Sequence, residues 1–336
     1  MLQNNVPTMK DVAKEAGVAL GTVSKVINGI PVKETSKIKV ENAIKKLNYQ
    51  VNTYARGLKT SKTHTIALII PSLALPFYAS FAYEIEQQAY KYGYKLILCC
   101  SNGIPEKELD YLSLASQNKA DGIVALTYSD ISKELPEHIP LVTFDRHLKN
   151  HNIPRVASDN YAGGILATQK LLEFGCKSPV FIGFHSPFPG EADKRFDGYL
   201  EACREYQIAP VYLYEPDIDI RERLKLVSDF ITRHENPKAH ALDFDGVFAN
   251  TDYHACLVIR ALNNLGYQVP DDVQIIGFDG TKKLYPADEY VVSTIRQPIQ
   301  DLAEKCVSML LDAKNNTLPT LTLFPVTYEY GGTTIK

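Results

Sequence analysis

From Thr65 to the C-terminus, short apolar runs alternate with amphipathic stretches, and this alternation limits the possible folds more than any other feature. Ile66-Ala-Leu-Ile-Ile70 is apolar throughout and stops at Pro71, as a strand covered on both faces does. The stretch from about Tyr78 to Tyr92 then sets Phe81, Ile85 and Ala89 on one helical face. Phe81, Ile85 and Tyr92 at that spacing fit either a core or an interface. Lys95–Cys100 reads as the next strand, and helices are expected at about 106–118, 161–174, 194–206, 221–234 and 253–265. Strands are expected at 122–126, 141–144, 180–182, 246–249, 274–276 and 291–295. Such alternation makes doubly wound α/β sheets with parallel strands. About 270 residues exceed what one sheet of this kind usually takes, so two lobes are expected.

The first 62 residues have a different texture. Thr8 is a good N-cap for Met9–Ala16, Asp11 stands where a capping-box acid stands, and Gly17 ends the helix. Met9, Val12, Ala13 and Ala16 form its apolar face. A second helix is expected from Leu20 to Ile27, stopped by Asn28-Gly29, and a third from Glu34 to Leu47 with Ile38, Ala43, Ile44 and Leu47 inward. Two short helices joined by a glycine turn, with a third across them, make a helix-turn-helix unit. In such a unit the first turn of the second helix meets base edges in the major groove. Here that helix offers Leu20, Gly21, Thr22, Ser24 and Lys25, and Thr8, Asn28, Lys33, Thr35 and Tyr49 are placed for backbone phosphates. Charge agrees. The whole chain carries −3, but residues 1–62 hold eleven basic and four acidic side chains, or +7, and the remaining 25 basic and 35 acidic ones give −10. A basic head on an acidic body implies a polyanion partner for the head alone.

In open α/β sheets ligands bind beyond the C-terminal ends of the strands. Those positions carry Phe77 and Tyr78, Asp145 and Arg146, Asp193 and Arg195, Asn250 to Asp252, Asp279, and Gln297. Aromatic faces cover the C–H face of a sugar, and carboxylates, amides and guanidinium groups bind its hydroxyls. The segment Gly183–Gly190 adds Phe184, His185 and Phe188, with His185 read as a loop hydrogen-bonder.

Met9-Lys-Asp-Val-Ala-Lys-Glu-Ala-Gly-Val18, Gly21-Thr-Val-Ser-Lys-Val-Ile-Asn-Gly29 and Ala43-Ile-Lys-Lys-Leu-Asn-Tyr49 resemble the DNA-binding head of the lactose/galactose repressor (LacI/GalR) family, and so does Asn52-Thr-Tyr-Ala-Arg-Gly-Leu58. The body resembles the family's effector core, itself similar to periplasmic sugar-binding proteins. The match runs through Leu141–Arg146, Ser158–Gly164, Arg195–Tyr199, Val269–Asp279 and Thr294–Pro298. The resemblance implies a head at 1–62 with a hinge helix at about 52–59, and a core at 63–336. One lobe would take about 63–162 and 297–324, the other about 163–296 and 325–336. Asn52, Ala55 and Leu58 would act at the hinge, with the leucine wedged into the minor groove. Effector contacts would fall on Phe77, Tyr78, Asp145, Arg146, Arg195, Thr251, Asp279 and Gln297, with Asp279 the strongest and Asp159 partly structural.

Five positions depart from the family pattern. Ala19 replaces a capping serine, Val51 a proline, Thr251 a frequent asparagine, and Gly331 a frequent arginine whose charge would then be missing. Gly57 also lies inside the hinge, where glycine weakens a helix.

The chain has no nucleophile elbow, phosphate loop or dinucleotide fingerprint, and its six cysteines have no metal-ligand spacing, so neither enzyme activity nor a cofactor is expected. No run is long enough for a membrane span and the N-terminus has no apolar signal core, so a cytoplasmic protein is expected. The reading is a homodimeric regulator of a pseudo-palindromic operator on double-stranded DNA, controlled by a sugar or sugar derivative between two lobes, most often as a repressor. The alternatives are a regulator driven by a protein corepressor and a soluble sugar-binding protein.

Overall fold

The computed structural model describes residues 7–50, 62–132, 134–136, 138–148, 152–236, 238–239, 241–283, 285, 289–312 and 318–335. The chain divides into two compact units, Met1–Thr63 and His64–Lys336.

The first unit holds helices α1 (Met9–Ala16), α2 (Leu20–Ile27) and α3 (Glu34–Lys46). The capping box at Thr8 is closed: Thr8 N donates to Asp11 Oδ2 over 2.8 Å, and Asp11 N donates to Thr8 Oγ1 over 3.4 Å. Gly17 takes the left-handed φ of 61° that ends α1. Val12, Ala13, Ala16, Val23, Val40 and Ala43 form the core, and Lys46 ties α3 to Glu15 of α1 over 2.6 Å. Ile38 is a correction. It is 50% exposed, and Val40 takes the inward place on α3, because the lysine-rich helix has an apolar face too weak to fix its rotation from sequence.

The second unit runs β1 (Thr65–Ile70), α4 (Pro76–Lys91), β2 (Lys95–Cys100), α5 (Pro105–Gln117), β3 (Gly122–Ala125), β4 (Leu141–Phe144), β5 (Arg155–Ser158) and α6 (Asn160–Glu173). It continues with β6 (Pro179–His185), α7 (Lys194–Glu205), β7 (Tyr212–Pro216), α8 (Ile220–Arg233), β8 (Glu235–Asn236), β9 (Ala241–Leu242), β10 (Gly246–Ala249) and α9 (Asp252–Asn264). Then come β11 (Gln274–Asp279), β12 (Thr294–Arg296), α10 (Ile299–Leu311), β13 (Leu321–Phe324) and β14 (Thr327–Glu329).

Two six-stranded sheets result. The N-terminal lobe has the order β13-β5-β4-β3-β1-β2, all parallel, and the C-terminal lobe the order β14-β12-β11-β10-β6-β7, with only β14 antiparallel. Each sheet is packed on both faces by apolar clusters, as the alternation implied. Phe81 and Ile85 are fully buried and so belong to the core, whereas Tyr92 is exposed. Because β13 and β14 come last in the chain but complete opposite sheets, the backbone passes between the lobes three times.

The sequence missed helix α10 and the strands β5, β7, β8, β9, β13 and β14, which are short, and β7, β13 and β14 are edge strands with partly exposed residues. Strand β6 runs on to His185, so Phe184 is a strand residue packed on His254, with ring centroids 5.1 Å apart. Gly331 also has a local reason: a Cβ there would lie 2.1 Å from the Val292 carbonyl carbon, so the backbone leaves no room for the arginine's side chain.

Helices α6 and α7 cross at two glycines. A Cβ on Gly164 would sit 2.2 Å from the Arg195 carbonyl oxygen, and one on Gly198 2.2 Å from that of Tyr161. This contact sets the start of α7, and with it Arg195. Gly164→Ala should therefore destabilise the second unit by about 1–3 kcal/mol, read from urea unfolding. A change within error would show that the crossing relaxes freely.

Candidate functional site

The strand ends of the two lobes face a cavity of about 260 Å³, and all eight residues singled out for an effector line it. Pro76 opens α4 at its first turn and sets Phe77 and Tyr78 on the cavity wall. Tyr78 Oη lies 2.6 Å from Tyr128 Oη, and the Arg146 guanidinium stacks 4.3 Å from the Tyr128 ring centroid. Tyr128 is held from behind by Glu108, whose buried carboxylate accepts the Tyr128 N–H over 2.8 Å and the Ser129 hydroxyl.

Asp145 follows β4 with φ 61°, and Asp279 ends β11 with φ 122°. Both carboxylates thus stand on left-handed backbone, which costs a non-glycine residue and is typical of functional sites. Arg195 organises them. Its Nε donates to Asn160 Oδ1 over 2.7 Å and its Nη1 to the Asn250 carbonyl over 2.7 Å, with Asp279 Oδ1 at 3.4 Å. The guanidinium lies 3.7 Å from the Phe278 ring centroid. Gln297 joins the lobes: its Nε2 donates to Asp279 Oδ1 over 2.9 Å, and its Oε1 accepts from Ser158 Oγ over 2.8 Å.

Burial pushes the Asp145 carboxyl up to about 6 against the pull of Arg146 and Arg195. Burial likewise pushes Asp279 up to about 6 despite Arg195 and the Gln297 hydrogen bond. Asp252 is raised as well, by burial and then by the charge of Asp279, while its oxygens accept from the Thr294 hydroxyl over 2.6 Å and Thr281 N over 2.6 Å.

Thr251 lines the cavity, and its hydroxyl also caps α9 by accepting from His254 N over 3.1 Å. His254 is pushed down to about 3 by burial and by Arg223 and Arg195, so it is neutral at physiological pH. Its Nε2 lies 3.4 Å from Arg223 Nη1, which can only donate, so Nε2 accepts and Nδ1 carries the proton toward Thr251 Oγ1 at 2.8 Å. The Thr251 hydroxyl proton remains available to another acceptor.

Sequence reasoning missed Tyr128, Arg223 and His254 as wall residues. Tyr128 had a signal, since it follows the end of β3. Arg223 and His254 sit in first helical turns, where sequence does not say which side chain turns inward. In the head, Leu20, Gly21 and Lys25 are exposed, and Thr22 and Ser24 are half-buried. Helix α2 starts at Ala19 with no side-chain cap. Asn28 Nδ2 donates to the Ser24 carbonyl over 2.7 Å, Lys33 is exposed at the start of α3, and Tyr49 packs on the core. The Thr8 hydroxyl is used within the capping box. Asn52, Ala55 and Leu58 lie outside the described residues.

Residues 8–52 match the model of bacterial regulatory proteins of the lacI family, and residues 168–334 match a periplasmic binding protein-like domain. The chain is 37% identical to a ribose operon repressor of Halalkalibacterium halodurans, over 90% of this chain and 89% of that protein. This chain belongs to the lacI family. It is a DNA-binding transcription regulator and not an enzyme. It is also 33% identical to a sucrose operon repressor of Pediococcus pentosaceus, over 95% of this chain and 97% of that one. Among solved structures it resembles a periplasmic binding protein/LacI transcriptional regulator of Alkaliphilus metalliredigens complexed with D-xylulofuranose. That match has 30% identity and a TM-score of 0.68, covering 81% of this chain and all of the other. The Lac repressor dimer bound to operator shares the fold at 21% identity and a TM-score of 0.83, covering 98% of this chain and 99% of that one. Among the described residues no helix is long and apolar enough to cross a membrane, and no group of three or more His, Cys, Asp or Glu side chains could hold a metal.

Asp145 and Asp279, two of the carboxylates on the cavity wall, carry a pH signature. Raised in the folded state and ordinary in the unfolded one, they hold more protons when folded between about 4 and 6. Their contribution to stability is present on the acid side and lost as pH rises through about 6. Asp279→Asn should therefore raise the thermal unfolding temperature at pH 7 without added ligand, and flatten its fall between pH 5 and 7. An unchanged profile would mean that Asp279 is ordinarily solvated.

Proposed function

We propose that the protein binds a pseudo-palindromic operator as a homodimer and represses transcription under control of a sugar or sugar derivative held in the cleft. The observation that carries this reading is the convergence of Asp145, Arg146, Arg195, Asp279 and Gln297 from both lobes on one aromatic-walled cavity. The two carboxylates accept sugar hydroxyls, Arg146, Gln297 and Thr251 donate to ring and hydroxyl oxygens, and Phe77 and Tyr78 cover the apolar face. A ligand that contacts both lobes favours whichever lobe arrangement it fits, and linkage passes that preference to DNA affinity. The names of its relatives, ribose and sucrose operon repressors, support a sugar.

In the head, Leu20, Gly21, Thr22, Ser24 and Lys25 face the bases. Leu20 and Gly21 can meet a thymine methyl but cannot form a bidentate hydrogen bond. Thr8, Asn28, Lys33, Thr35 and Tyr49 contact phosphates, and Asn52, Ala55 and Leu58 are assigned to the minor groove. The dimer places its partner against the exposed apolar side of the N-terminal lobe, where Leu98 on edge strand β2 and Tyr83 and Tyr90 on α4 are open.

Lys25→Ala should weaken operator binding by about 1–3 kcal/mol without changing ligand affinity. Asp279→Ala should lose at least tenfold in sugar affinity, about 1.4 kcal/mol, while operator binding without sugar is kept. Ribose, sucrose and related sugars are the panel for a thermal-shift assay. A flat panel, with operator binding that appears only when a phosphocarrier protein is added, would replace the sugar with a protein corepressor. Sedimentation at micromolar concentration should give a dimer, and a monomer alone would sink that part of the reading.

A further inference from the structure

Residues 186–193 leave the end of β6 in the C-terminal lobe and lie as a strap along the N-terminal lobe. Arg146 and Gly190 form an antiparallel bridge, and Glu191 N donates to the Asp145 carbonyl over 2.8 Å. Arg146 Nη1 donates to the Phe188 carbonyl over 2.5 Å. The approach needs glycine, since a Cβ at Gly190 would lie 2.6 Å from Arg146 Nη1 and 3.0 Å from the Asp145 carbonyl oxygen. The strap therefore grips the two residues that present a carboxylate and a guanidinium to the ligand cavity.

One charged contact fastens it. Arg155 on β5 of the N-terminal lobe lies 3.0 Å from Glu191 Oε1, and Lys194 on the strap's own lobe lies 2.7 Å from Glu191 Oε2. The Glu191 side chain is only 4% exposed, so this pair is little screened. The docked arrangement also has a cost. The Nε atoms of Arg146 and Arg155 are buried there without a hydrogen-bond partner, and undocking would return them to water. A second cavity lies against the strap, lined by Arg146, Arg155, Glu191 and Lys194, and gives it room to move. We propose that the Arg155–Glu191 pair is a latch between the lobes, and that Glu191 is a positioning residue setting how firmly Asp145 and Arg146 are held before any ligand arrives. Neither the sequence pattern nor any strand-end rule marks Glu191 or Arg155. The effect on ligand rests on the reading of the cleft above, but the latch itself does not.

The test is hydrogen–deuterium exchange of the peptide covering 186–193 in the full-length protein without added sugar. Glu191→Gln and Arg155→Met should each speed exchange of the strap about tenfold, and the double variant should go no further than either single one. Lys194→Met, which leaves the pair between lobes intact, should stay within twofold of wild type. Wild-type exchange in either single variant, additive effects in the double variant, or an equal acceleration by Lys194→Met would overturn the latch. Titration with D-ribose and with sucrose forms a second arm: a sugar that binds wild type should bind the single variants several-fold more weakly. If neither sugar binds wild type, the reading of the cleft is in question, while the exchange result still decides the latch.

Discussion

Two buried carboxylates, Asp145 and Asp279, stand on the wall of one cavity, and the guanidinium groups of Arg146 and Arg195 beside them are held by hydrogen bonds. Asp145 and Asp279 pay for their positions with left-handed backbone and with burial that raises both to about 6. Arg195 makes this tolerable. It reaches Asn160 at the start of α6, the carbonyl of Asn250 after β10, and Asp279 at the end of β11, while its face lies on Phe278. Two strand-to-helix junctions and the end of β11 are thereby fixed around one guanidinium. The glycine crossing of α6 and α7 sets where Arg195 begins, so an interaction between two backbones decides the geometry of a polar site.

The same cavity depends on contacts between lobes. Gln297 bridges Ser158 and Asp279, and the strap holds Asp145 and Arg146 from outside. A ligand recognised by groups from both lobes therefore reports on lobe arrangement by necessity, since its contacts cannot all be made when the lobes separate. The chain passes between the sheets three times, which limits how the lobes move without separating them. The head works by simpler physics. It has a small core and a closed capping box on α1, and its α2 starts without a side-chain cap. An uncapped helix start leaves amide donors open to an anion.

Most of the cavity was legible because the rule for parallel sheets concerns strand ends, and strand ends are marked by where apolar runs stop. Asp145, Arg146, Asp279 and Gln297 could be found that way. Tyr128 could have been, had the end of β3 been read as the others were. Arg223 and His254 could not, because they reach the cavity from first helical turns whose rotation depends on packing against β6 and Phe184. Ile38 failed for the same reason on a smaller scale: its helix is lysine-rich, and only packing against α1 and α2 selects Val40 as the inward residue.

By itself the sequence determined the helix-turn-helix head, the two-lobed α/β core, the split of charge between +7 and −10, and the set of strand-end side chains. These follow from local spacing, capping residues and composition, each readable within a few turns or strands. Tertiary structure alone decided that β5 and the edge strands β7, β13 and β14 complete the sheets, and that Gly331 must lack a side chain. It also decided that Arg155 and Glu191, 36 positions apart, meet in a buried pair between lobes. Those outcomes depend on which surfaces exclude water together, and no local pattern encodes the approach of two distant backbones.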